Sequence, residues 1–196
     1  MAKTERCLAA ELLYNNNMDV FSHGLWSGII YKAVNKKRKN PLKIKLAAFF
    51  GVFPDVFSFT PLFVWMFFGL ISGSFSFSDF PRPENVEPTQ RDTLFIFRLV
   101  NLLYSLSHSL PIFLIIFGLV YLIFKRPIWE IFAWLVHILI DIPTHTYQFY
   151  PTPFLWPFSD IKFNGFVWSA PWFLILNYSA IILIYFYLYY FNKKNN

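Results

Sequence analysis

His137 and Asp141 lie four residues apart inside an almost wholly apolar run, Ile131 to Ile142. At helical spacing an imidazole and a carboxylate then share one face. A neutral imidazole beside a carboxylate is a metal-ligand pair, and in oily surroundings each group is costly to keep without a partner. The chain has four histidines in all, and two of the others, His23 and His108, also sit in apolar stretches, as does Asp55. Two carboxylates and three imidazoles suit a divalent ion, zinc first, with manganese or iron as alternatives. Five ligands exceed what one tetrahedral zinc needs. The set fits a dinuclear site, or one ion with an acid/base residue to spare, for which Asp55 is the candidate. Asp19, four residues before His23, and Ser107 and Ser109, which flank His108, are placed to support the ligands.

Each group also has a purely structural reading. His137 with Asp141 could be a buried ion pair tying helices together. Asp55, following Pro54, could cap a helix that begins near Val56. His108 could hydrogen-bond a kinked backbone near Pro111, and one helical histidine such as His23 is often structural. His145 falls in a loop and reads as an ordinary polar loop residue. The joint pattern is stronger than any member.

The elements that must hold these groups are set by composition. Of 196 residues 56% are hydrophobic, 22% aromatic and only 14% charged, against roughly 25% charged in soluble domains. Three stretches, Val56–Ser78, Leu99–Phe124 and Phe163–Asn192, carry no Asp, Glu, Lys or Arg. Each is long enough to cross a hydrocarbon core about 30 Å thick. The expectation is an all-α integral membrane protein, a bundle of about four to five transmembrane helices with a metal site inside. Residues 18–192 form its single domain, 1–17 a polar N-terminal extension without signal-peptide character, and 193–196 a basic tail. Single Cys7 excludes an internal disulfide. The net charge of +6 clusters at Lys32–Lys45, Lys125/Arg126 and Lys193/Lys194. Such flanks of apolar segments fit the positive-inside pattern, with membrane lipid rather than nucleic acid as partner.

With those clusters taken as cytoplasmic, the segments are Val20–Val34, Lys45–Ser72, Leu94–Phe124 interrupted at Ser105–Pro111, Ile128–Ile142 and Phe166–Phe191. The loop Gly73–Thr93 lies on the far side, as does the aromatic loop Pro143–Asn164. Sustained period-two alternation, and with it a strand reading, is missing. The first segment, with Gly24 and Gly28, fits either a span or an interfacial helix. At about 1.5 Å rise per residue from the nearest basic flank, His23, Asp55, His108, His137 and Asp141 all fall about 15–25 Å deep. Five polar groups from four segments therefore share one slab, and they can share one site.

Four blocks resemble the bacterial inner-membrane family of metal-dependent hydrolases described as LexA-binding and inner-membrane-associated. Met18-Asp19-Val20-Phe21-Ser22-His23-Gly24 is similar to that family's opening Met-Asp-x-x-Thr/Ser-His, and Phe53-Pro54-Asp55 to its Leu-Pro-Asp turn. Ser107-His108-Ser109 is similar to its Thr/Ser-His-Ser. His137-x-x-x-Asp141-x-x-Thr144, followed by Leu155-Trp156-Pro157, resembles its most distinctive block. Where the family carries His-Arg-Gly before its Thr-His-Ser, this chain has Leu103-Tyr104-Ser105. The family start corresponds to Met18. The resemblance implies distant similarity to the all-helical zinc phospholipase C and P1 nuclease group, and hence a phosphoester substrate.

The reading is a multi-pass protein of the bacterial inner membrane. It would be a metal-dependent hydrolase acting through metal-activated water on a lipid or lipid-linked phosphoester. A metal or proton transporter is the rival, since intramembrane His and Asp suit ion pathways, although inverted repeats are not visible. A non-catalytic membrane interaction protein, with polar residues only joining helices, is the third.

Overall fold

The computed structural model describes residues 19–73, 95–147 and 150–194, with side chains up to Tyr190. The N-terminal extension, the Pro81/Pro83/Pro88 loop and the basic tail's side chains lie outside those residues. Six α-helices make up the described chain: α1 (Val20–Asn35), α2 (Ile44–Ile71), α3 (Phe95–Ser107), α4 (Leu110–Phe124), α5 (Phe132–Thr144) and α6 (Pro171–Lys194). A 3₁₀ turn, Trp129–Ile131, leads into α5.

Local chemistry accounts for the helix ends. Asp19 caps α1 by accepting from the Ser22 N–H at 3.2 Å, the usual role of Asp at an N-cap. Asn35 ends α1 by bonding the Leu42 backbone twice, at 2.8 and 2.9 Å, which closes the basic loop. Between α3 and α4 the axis bends by 65°. Ser109 caps α4, accepting from Ile112 N–H, and donates to the Trp156 carbonyl, while Pro111 takes an early position where its missing N–H costs nothing. The Leu110 N–H reaches the Phe154 carbonyl at 2.9 Å. The aromatic loop is thereby docked on the break.

α2 is the central helix and touches α1, α3 and α5. Small residues bring α1 against it. A Cβ on Gly51 would run into the Ser27 side chain, and one on Gly24 would stand 2.8 Å from Val52 Cγ2. Aromatic and aliphatic side chains fill the rest. Phe113, Ile131, Trp134 and Ile138 join α4 to α5, whereas Ile29, Ile181 and Leu188 join α1 to α6.

The polarity of the molecule is inverted relative to a soluble domain. Ser22, Ser27, Ser58, Ser107, Ser109 and the site's His and Asp groups are buried, while Phe63, Phe67, Leu122, Ile123, Ile182, Leu183 and Phe186 are exposed. An apolar exterior around a polar interior is what a lipid solvent requires. α2 and the Pro171–Tyr190 part of α6 are long and apolar enough to cross a membrane, and α3 with α4 would make a third span if the bent pair crosses as one. α1, with 16 residues, and α5, with 13, rise only about 24 and 20 Å. Of the four to five transmembrane helices expected, two or three are shown by length and composition among the described residues.

The three basic segments come to one end of the molecule. Glu130 accepts from the Lys43 N–H at 2.9 Å and Tyr31 donates to the Trp129 carbonyl at 2.5 Å, which sets the turn after α4 beside the α1–α2 loop. Lys32 and Lys36 lie over the rings of Tyr185 and Tyr187, near the end of α6.

Candidate metal centre

Five residues named from the sequence meet in the interior. One ligand atom from each of Asp55, His108, His137 and Asp141 lies within 4.8 Å of all the others. α2 supplies Asp55, α5 supplies His137 and Asp141, and the break between α3 and α4 supplies His108. The Nε2 atoms of His108 and His137 are 3.0 Å apart, and each is 3.1 Å from Asp141 Oδ2. Asp55 Oδ1 stands 3.5 and 3.6 Å from the same two nitrogens. Around a tetrahedral zinc with ligands at about 2.0 Å, neighbouring donor atoms are about 3.3 Å apart. The five separations bracket that value.

The protons of the two imidazoles are committed elsewhere. His137 Nδ1 lies 2.7 Å from the Gly51 carbonyl; a carbonyl only accepts, so the nitrogen carries the hydrogen. For His108 the hydrogen-bond partners give the same result. Ser58 Oγ–H donates to the Pro54 carbonyl at 2.6 Å, and its oxygen lies 2.7 Å from Ser107 Oγ. Ser107 has the Ser58 oxygen and the Tyr104 carbonyl as acceptors for its hydrogen and lies 2.8 Å from His108 Nδ1. That nitrogen is also 3.1 Å from the Tyr104 carbonyl, which only accepts, so Nδ1 carries the hydrogen. With Nδ1 carrying the hydrogen of each neutral ring, both Nε2 atoms are free to ligate, and a cation between them resolves their close approach. Neither carboxylate oxygen of Asp141 receives a hydrogen bond although the residue is fully buried. Its contacts with imidazoles are close without an aligned N–H. Donors that crowd together without pointing hydrogens at one another are arranged as around an ion.

His23 sits beside the four, not among them. Its Nε2 is 3.2 Å from Asp141 Oδ1, its ring lies 4.0 Å from the His137 ring, and its Nδ1 is buried without a hydrogen-bond partner. Asp55 occupies the middle of α2, so it does not serve as the cap of a helix starting near Val56. Asp19 lines the adjoining cavity and caps α1; it lies outside the group of four. Ser107 orients His108, and Ser109 holds the break.

His145 departs from its reading as an ordinary loop residue. It follows Asp141 by four, as Asp141 follows His137, and its Nδ1 stands 3.7 Å from Asp141 Oδ1 and 3.2 Å from the Asp141 carbonyl. That second spacing of four was the available signal, masked by Pro143 between them. The Gly165 N–H on the His145 carbonyl (2.8 Å) and the Phe166 N–H on the Pro143 carbonyl (2.7 Å) hold this segment. Burial holds the His145 imidazole below its ordinary pKa, against the opposing pull of the Asp141 carboxylate. Tyr104 and Trp134 also escaped sequence reading. Tyr104 stacks on the His108 ring at 3.8 Å, and Trp134 donates to the Ser107 carbonyl at 2.5 Å. Tyr104 precedes His108 by four, a spacing the sequence did offer, whereas the Trp134–Ser107 contact forms only when α5 meets the end of α3.

A cavity of about 40 Å³ adjoins the cluster, lined by Asp19, His23, Asp55, His145, Asn177 and a wall of aromatic side chains that includes Trp26 and Trp168. Of the four converging residues only Asp55 lines it. Compared with protein-family models, curated proteins and solved structures, the chain matches none.

Proposed function

We propose that this chain is a membrane-bound metal-dependent hydrolase of phosphoester or lipid-linked substrates. The observation that carries the reading is the pair of Nε2 atoms 3.0 Å apart, both 3.1 Å from Asp141 Oδ2. That set of two imidazoles and two carboxylates suits zinc, or manganese or iron. Such an ion supplies a Lewis acid and lowers the pKa of a bound water toward about 7. Asp55 stands between cluster and cavity, placed to take a proton from water on the cavity side. The aromatic wall lines the cavity beside Asp55 and limits access of bulk water. His137 and His108 keep their donor nitrogens turned inward through Gly51 and through Ser107 with the Tyr104 carbonyl.

The bundle would lie in a bacterial inner membrane, with its basic end cytoplasmic and the shorter α1 and α5 completing the interior. Resemblance to the LexA-binding, inner-membrane-associated hydrolases supports this placement, since its motifs supply the clustered residues.

The test is metal analysis and lipid-phosphodiester hydrolysis on detergent-purified protein, wild type beside His137→Ala. Stoichiometric metal and chelator-sensitive hydrolysis in wild type, both lost in the variant, are expected. Folded wild-type protein that takes up no zinc, manganese or iron would sink the metal reading. Metal-loaded protein inert on phosphoesters, but carrying metal into proteoliposomes, would favour transport.

A further inference from the structure

From the cavity beside the metal cluster, we infer a binding subsite for a primary ammonium group attached to a phosphoester, as in an ethanolamine-type lipid head group. The inference rests on the phosphoester reading and names which phosphoester the site accepts.

Charge is the first ground. Lys and Arg are missing from the residues that line the cavity, whereas Asp19 and Asp55 are both there. A dication held by Asp55 and Asp141 cancels those two carboxylates and leaves Asp19 uncompensated. Asp19 is only half-buried, and among the described residues it makes no ion pair. Its surroundings are neutral donors: Oδ1 accepts from the Ser22 N–H at 3.2 Å and from the Tyr178 hydroxyl at 2.5 Å. Oδ2 meets only the Asn177 amide, at 3.5 Å. Asn177 is in turn held by Trp26 Nε1–H at 2.7 Å. The carboxylate is therefore fixed in place, with one oxygen nearly free. A dianionic phosphomonoester head would meet this charge unfavourably, while a cation would complete it.

The walls are the second ground. Trp26, Phe59, Tyr150, Trp168 and Phe173 line the same space. Aromatic faces attract ammonium groups, the more so as water is excluded. His23, nine-tenths buried with its Nδ1 unpartnered, lines the cavity as well and offers a further polar contact.

Size and spacing are the third. About 40 Å³ admits a group the size of a water or a primary ammonium. Asp19 precedes His23 by four residues, a rise of about 6 Å, and His23 touches the metal cluster through Asp141. A two-carbon link between phosphorus and nitrogen spans a gap of that order, with the phosphate toward the cluster and the ammonium toward Asp19.

Binding to the metal-loaded wild-type protein in detergent tests the subsite separately from turnover. The probes are phosphatidylethanolamine, its N-acetylated form, which lacks the positive charge, and phosphatidylglycerol. Glycerophosphoethanolamine is added to ask whether the head alone suffices. Phosphatidylethanolamine should bind at least about tenfold more tightly than the other two lipids. Asp19→Asn should collapse that ratio toward one, and in any hydrolysis the same ratio should fall in kcat/KM. Equal binding of all three lipids to wild-type protein overturns the subsite, even if Asp19→Asn fails to fold. Absence of hydrolysis with the binding preference intact leaves the subsite standing and overturns the hydrolase reading. Strong competition by the soluble head supports a water-borne amine phosphoester; lipid binding without such competition supports a membrane one.

Discussion

Asp141 is the residue on which the interior depends. Its Oδ2 faces His108 and His137 while Oδ1 faces His23 and His145, so one carboxylate organises four imidazoles. Asp141→Asn keeps the shape but removes the charge that offsets a dication. Bound metal should fall below detection in purified protein, measured by elemental analysis. His145→Ala should keep most of the metal, because that ring reaches only the outer oxygen. Ser58→Ala is more discriminating. It removes one partner of Ser107, which together with the Tyr104 carbonyl holds His108 Nδ1–H, and loss of such an outer partner costs about 10–100-fold in metal affinity. Competition with a chelating indicator measures the change, and an unaltered affinity would show that Ser58 does not help orient His108. Acid should act in the same direction. Imidazoles must lose protons to bind a metal, so retention should fall as the pH is lowered. Metal content after equilibration at pH 5 and pH 7.5 checks it.

Among the elements, the contact of α1 with α2 sets the depth of the site. Gly51 serves it twice, letting Ser27 and the His23 backbone approach and presenting its carbonyl to His137. Gly51→Val should push the helices apart and cost about 1–3 kcal/mol, the usual range for overpacking. Thermal unfolding in detergent should show the loss, together with weaker metal binding because His23 and Asp55 ride on the two displaced helices. A variant as stable as wild type would mean that the helices can re-pack without that close approach. The end of α5 depends on a similar fit at Gly165, where a Cβ would strike the Pro143 carbonyl. Gly165→Ala should therefore loosen His145 while leaving His137 in place.

At the level of the whole molecule, an ion held at the cluster would link metal binding to folding. The four donors come from α2, α5 and the α3–α4 break, so an ion bound only by the folded chain joins three separate pieces. At free metal about 100 times Kd the gain is about 2.7 kcal/mol. Chelation should lower the Tm of wild type and leave that of His137→Ala unmoved. The clustered basic residues make a second prediction at this scale. Introduced cysteines at Lys37 and Lys125, in a Cys7→Ser background, should resist an outside reagent, and one at Tyr147 should react. Labelling of Lys37 from outside would overturn the orientation.

Much of this centre was legible in residue types alone, because an ionisable group in an apolar run has few ways to be stable. His137 and Asp141 could be paired from spacing, since four residues on a helix always return to one face. The depth of His23, Asp55 and His108 followed from the constant helical rise. Spacing along one helix says nothing of how a neighbouring helix is turned. The assignment of Oδ2 to two imidazoles and Oδ1 to two others arose only when α1, α2 and α5 met. The same holds for the contact of Ser58 with Ser107, which joins α2 to the α3–α4 break, and for Trp134 donating to the Ser107 carbonyl. Helix lengths were the weaker part of the reading. The break expected at Ser105–Pro111 is present, with a 65° bend that spacing alone does not give, whereas the segment expected unbroken from Ile128 to Ile142 opens with a 3₁₀ turn at Trp129–Ile131. Local hydrophobicity reports that a segment is buried in lipid or protein, whereas the break is decided by which loop, here Phe154–Trp156, arrives to satisfy its backbone.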